Sequence, residues 1–230
     1  MSRLDRPEGK SQNPTTKFLS WKSNEKCFAY YDKSTSSNIE VKLPLKFAFL
    51  EHYHTIKGWN DKSESGIFSN EVFLIGSQEL TVKAFKGGEI AKGLYSEIRS
   101  KIRDAGGVYH RSIYAVSESG ELINLSIKGS VVSAYSDFSK ENSNKFETNW
   151  IEINSFKELK KGATKYSVPE FTIGKAFSKK EDDNIVEVAK VLQAYMDTYI
   201  AKDIDVSEVT KYNKEPEVFD HGLEKDDLDF

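Results

Sequence analysis

The sequence predicts an α+β fold, mostly β: a partly open barrel with two main helices packed on it and disordered termini. Three observations carry that expectation. Short runs rich in aromatic and β-branched residues recur between polar turns, and some alternate with period two, as in Val41, Leu43, Leu45, Phe47 and Phe49. Only two long segments keep a helical apolar stripe, and they do not alternate with the strands as a doubly wound sheet requires. The polar start and the acidic end of the chain show no periodicity at all.

Residues 1–15 contain Pro7, Gly9, Asn13 and Pro14 and read as a mobile arm. Strands are expected at 17–22 and 26–31, followed by a turn at 32–38 with the composition DKSTSSN. A strand at 41–49 contains Pro44, which cannot donate to a ladder and so marks an edge or a bulge. Residues 54–65 (HTIKGWNDKSES) read as a long polar loop around Trp59. Strands follow at 67–75 and 80–85. Gly87-Gly88 then opens a helix over 89–105, with Ile90, Leu94, Ile98 and Ile102 at four-residue spacing and Gly106-Gly107 as its stop. Runs at 108–117 and 121–128 form a hairpin about Ser119-Gly120. A short helix is expected at 131–139 and strands at 150–156 and 165–173. The last helix, 179–201, starts from the capping-box pair Ser178 and Glu181 and carries a helical apolar stripe of Ile185, Val188, Ala189, Leu192, Tyr195, Met196, Tyr199 and Ile200, expected to pack on the sheet.

The chain of 230 residues is long enough to bury a sizeable core. Aromatics at 12% argue against wholesale disorder. No apolar run reaches the ~20 residues of a membrane helix, and the first residues lack the apolar segment of a secretory signal. Cys27 is the single cysteine, which excludes internal disulfides and cysteine-built zinc sites, and fits a reducing compartment. It sits in an aromatic strand, where a buried, inert thiol is expected. The net charge of −3 is uneven: the segment 215–230 carries −6, which leaves +3 on residues 1–214. A mildly basic body with an acidic tail points to a polyanion-binding body and an interaction tail, although acids of this kind also simply keep a chain soluble.

Catalytic patterns are missing. There is no P-loop, GxGxxG or GxSxG. His52 and His54 share one side of a strand, but no third metal ligand is designated by the sequence, and two half-buried or surface histidines are the expectation. The chain is therefore expected not to be an enzyme, and to hold neither metal nor cofactor.

The pattern with chemical content is the interleaving of bases and rings: Lys17-Phe18, Trp21-Lys22, Tyr30-Tyr31, Lys57-Gly58-Trp59, Lys83, Phe85-Lys86, Tyr109-His110-Arg111 and Lys165-Tyr166. Lysines neutralise phosphates and flat rings stack on unpaired bases. Phe18, Phe28, Phe47, Phe49 and Phe85 are expected in the core, because phenylalanine is among the most buried residue types. Trp59 has no apolar neighbours in sequence and is expected to be exposed for binding. Lys57, Trp59 and Lys62 from one loop, with Lys83, Lys86, Tyr109 and Arg111, are the candidate groove residues.

The sequence ends Asp226-Asp227-Leu228-Asp229-Phe230, preceded by further acids. An acidic stretch with a final aromatic ring has the chemistry of a docking peptide: the ring fills a pocket and the carboxylates meet Lys or Arg. This segment resembles the tails of bacterial and phage single-stranded DNA-binding proteins. The blocks GWNDKSESGIFSNEV (58–72) and KGATKYSVPEF (161–171) look similar to a phage-encoded family of that kind. The resemblance implies an OB-type body over 16–204 that coats single-stranded DNA. It also implies a tail over 205–230 whose residues Asp226, Asp227, Leu228, Asp229 and Phe230 recruit a polymerase, primase or helicase in phage replication and recombination, in the host cytoplasm. The body is less basic than the family's, and its last helix is not part of a minimal OB barrel. The rival expectation is a non-catalytic, protein-interaction or virion-associated β domain. A metal-dependent enzyme built around His52 and His54 is a third.

Overall fold

A computed structural model of the chain describes residues 13–200. Most of the expected N-terminal arm and all of the acidic tail, with Asp226, Asp227, Leu228, Asp229 and Phe230, lie outside the described residues.

The fold is α+β and mostly β. The strands are β1 (Lys17–Lys22), β2 (Cys27–Asp32), β3 (Ser37–Val41), β4 (Leu45–Asn60), β5 (Ser65–Ser69), β6 (Leu80–Ala84), β7 (Gly88–Gly93), β8 (Gly107–Ser117), β9 (Leu122–Lys128), β10 (Asn149–Lys161) and β11 (Thr164–Ala176). The helices are α1 (Tyr95–Asp104), α2 (Ser130–Glu141) and α3 (Lys179–Ile200). The strands form one sheet in the order β3-β2-β1-β9-β8-β4-β5-β6-β7, with β10 pairing both β4 and β11. No ladder joins β3 to β7 among the described residues, so the sheet stays open and does not close into a barrel. All pairings are antiparallel except β1 with β9.

Alternation along β8 shows how the layers are made. Tyr109, Ile113 and Ala115 point into the main core, which α1 enters through Ile98 and Ile102 and α2 through Val131, Val132, Tyr135 and Phe138. Tyr114 and Val116 point to the other face, where α3 covers them with Ile185, Leu192 and Met196. A period-two strand with both faces apolar is what a sheet packed on two sides requires. The capping box of α3 forms as expected: Ser178 N–H donates to Glu181 Oε2 (2.7 Å) and Glu181 N–H donates to Ser178 Oγ (3.4 Å). These bonds hold the Glu181 carboxyl down at about 2. Cys27 is buried, and burial pushes its thiol up.

Three expectations are corrected. Pro44 lies between β3 and β4 and not within a strand. The helix expected over 89–105 starts only at Tyr95, because residues 88–93 pair with β6 as β7. Gly93, at φ +143, makes the corner between strand and helix in a conformation that favours glycine. The expected loop 54–65 is a strand as far as Asn60.

Candidate nucleic-acid interface

Strand β4 sets the geometry. Its far end is paired on both sides, Gly58 to Gly107 of β8 and Asn60 to Ser65 of β5, so its backbone groups are satisfied despite a loop-like composition. Glycine makes this possible. A Cβ on Gly58 would lie 2.2 Å from Gly106 O and 2.9 Å from Gly107 Cα. The corner that ends α1 therefore packs directly on the β4 backbone.

Lys57 and Trp59 consequently project from a strand, and of the three residues expected in one loop only Lys62 occupies the turn that joins β4 to β5. Lys57 is half-buried and its Nζ donates to Ser126 Oγ (2.8 Å). Ser126 Oγ also bonds His110 Nδ1 (3.1 Å), and Asn124 Nδ2 donates to Ser112 Oγ (2.7 Å). Glu71 joins this interior network by accepting from Tyr114 OH (2.8 Å), and burial raises its carboxyl. Lys57 thus contributes to a polar network at this end of the sheet.

The other residues of this end come together. Trp59 pairs with Gly66, and Phe85 N–H donates to Gly66 O (3.1 Å), so Trp59, Gly66 and Phe85 form one cross-strand row. The Phe85 ring leans over Gly66, 3.2 Å from where a Cβ would stand. Both rings are half-buried, so Trp59 is less open than the sequence suggested and Phe85 is more open than a core residue. Lys83 is half-buried and sits in the neighbouring row, paired with Phe68. Lys62 and Lys86 are exposed on adjoining turns: a Cβ on Gly87 would lie 3.1 Å from Ser63 Cβ.

Tyr109 and Arg111 are not part of this group. They point from β8 to the opposite face, where Tyr109 meets Tyr95 of α1 and Arg111 reaches α2. Tyr109 is only 9% exposed and is hydrogen-bonded to His54 Nδ1, which removes it as a stacking platform. Burial raises its hydroxyl while Arg111 opposes the shift. Arg111 is half-buried and donates from Nη1 to Ser136 Oγ of α2 (3.0 Å).

A second basic surface went unread in the sequence. β10 and β11 pair continuously from Ser155–Glu170 to Lys161–Thr164, whereas only Ile151, Glu152 and Ile153 pair with β4. At about 3.3 Å per residue, the ribbon from Asn154 to Lys161 is roughly 25 Å long, and its inner part packs on the sheet, where its partners Ser167 and Val168 are buried. Its base is braced by the β1–β2 turn: Trp21 Nε1 donates to Ser167 O (2.9 Å), and Lys26 pairs with Glu158 and lies over the Phe156 ring. Its tip carries Lys157, Lys160, Lys161 and Lys165 against Glu158, a net of +3 over 157–165, and Leu159 is 41% exposed. The signal available in the sequence was Gly162, at φ +59, between two strand-like runs.

His52 and His54 lie side by side on β4, ring centroids 6.2 Å apart. Among the described residues no group of three His, Cys, Asp or Glu side chains is placed to hold a metal ion. No helix of the described residues is long and apolar enough to cross a membrane. No family model, no curated protein and no solved structure matches the chain.

Proposed function

We propose that this protein binds single-stranded DNA without catalysing a reaction, and acts in phage DNA replication and recombination in the host cytoplasm. The observation that carries this reading is the Trp59–Gly66–Phe85 row with Lys83, Lys62 and Lys86 around it. Half-open rings on a strand surface, with lysines at the rim, supply stacking and phosphate neutralisation together. The +3 tip of the β10–β11 ribbon supplies further phosphate contacts. The acidic segment with Asp226, Asp227, Leu228, Asp229 and Phe230 recruits a replication protein through charge and a terminal ring.

The test is quenching of tryptophan fluorescence by oligo-dT, with a duplex of the same length as control. Trp150 is buried, so the signal comes from Trp59 and Trp21. Saturable quenching by oligo-dT alone supports the reading, and none at low salt overturns it. One observation favours a protein-interaction domain instead: Phe73 and Leu74 are 49% and 54% exposed in the segment after β5. That reading expects no retention on oligo-dT.

A further inference from the structure

The polar cluster beneath α2 contains the guanidinium of Arg111. Among the described residues no carboxylate forms an ion pair with Arg111. Its polar neighbours are Ser136, Tyr109, Tyr135, His52 and His54. The two histidines cannot share its charge: burial, with Arg111 next, lowers both to about 4, so both are neutral at pH 7.

Three polar atoms in the same neighbourhood have no hydrogen-bond partner among the described residues. They are Arg111 Nε, His52 Nδ1 and Tyr135 OH, each shielded from solvent. The Tyr135 ring organises them: Arg111 Cζ lies 5.9 Å from its centroid and the His52 ring 6.0 Å from it, edge-on. Tyr135 itself is fully buried. Arg111 Nε–H and Tyr135 O–H are donors, and His52 Nδ1 becomes one in the appropriate tautomer. Leaving such groups unsatisfied is costly, and a half-buried cation without an anion more so. A shared acceptor of negative charge removes both costs.

We propose that Arg111, His52 and Tyr135 form a binding site for a phosphate-type oxyanion, held between β4, β8 and α2. It lies on the sheet face opposite the Trp59 row and does not depend on the DNA-binding reading. Guanidinium, imidazole and phenol donors match the several acceptor oxygens of a phosphate group.

The experiment is a thermal-shift titration of the full chain with inorganic phosphate, against sodium chloride at equal ionic strength. A ligand that binds only the folded state at about a hundredfold over its Kd raises Tm by roughly 5 °C or more in a chain of this size. The expected result is a saturable rise in phosphate that is absent in chloride. It is abolished in Arg111→Gln and reduced in Tyr135→Phe, which deletes one hydroxyl and leaves the packing. A rise equal in chloride, or one untouched in the Tyr135→Phe protein, overturns the proposal. A parallel arm with a nucleoside 5′-monophosphate separates the sources. Tighter binding than phosphate assigns the site to a phosphate carried on a larger molecule, and weaker binding assigns it to the free ion. Both results support the site, and neither requires oligo-dT to bind.

Discussion

Lys57 Nζ and Ser126 Oγ are 2.8 Å apart across β8, so the lysine nearest Trp59 in sequence, although half-buried, is tied back to the sheet. Replacing it separates two roles. Lys57→Met removes a hydrogen bond in a buried network that includes His110, and is expected to lower stability by about 1–2 kcal/mol in urea denaturation. The salt dependence of oligo-dT binding should not change. A slope that falls by about 0.7 would show that Lys57 neutralises a phosphate after all.

Trp59→Ala tests the ring row. Stacking of one base contributes about 1–3 kcal/mol, so oligo-dT affinity should drop roughly 5- to 150-fold, measured by anisotropy of a labelled oligomer. Tyr109→Phe provides the contrast. It breaks the bond to His54 Nδ1 in the interior and should cost stability while leaving affinity unchanged.

Gly58→Ala probes the close approach of the β4 backbone to Gly106 and Gly107. The added methyl would meet Gly106 O at 2.2 Å, a backbone atom that cannot rotate away. Overpacking of this kind costs about 1–3 kcal/mol or more, read as a lower urea midpoint with an unchanged m-value.

Stability should depend on pH through the histidine pair. His52 and His54 titrate at about 4 in the fold against an ordinary 6.5. Between these values the unfolded chain binds protons that the folded chain does not. Their contribution is therefore intact above pH 6.5 and is lost progressively as pH falls towards 4. A His52→Gln, His54→Gln protein should show a flatter fall in urea midpoint across that window than the parent chain.

The strands and helices were legible where a local pattern decided them. The capping pair Ser178 and Glu181, the hairpin at Ser119-Gly120 and the edges of β1 needed no tertiary information. Other features depended on contacts distant in sequence. HTIKGWN is a strand because β8 and β5 flank it, and GEIAKG pairs with β6 before α1 can begin. The candidate site was half legible for the same reason. Interleaved lysines and rings were visible, but which face each takes depends on register: Trp59 and Lys83 fall on one side, Tyr109 and Arg111 on the other. Strands at 150–156 and 165–173 were legible, but the extension of β10 through Lys161 was not, because Lys157, Glu158, Lys160 and Lys161 show no apolar alternation.

The most direct measurement of the central claim is the salt dependence of oligo-dT affinity for the full chain, beside the variant Lys160→Gln, Lys161→Gln, Lys165→Gln. These lysines are exposed on the ribbon, and their loss should leave the fold intact. If they and Lys62, Lys83 and Lys86 each neutralise a phosphate at about −0.7, the logarithmic slope is about −4 for the parent and about −2 for the variant. A parent slope near zero would contradict DNA binding, and an unchanged slope in the variant would contradict the ribbon's part in it.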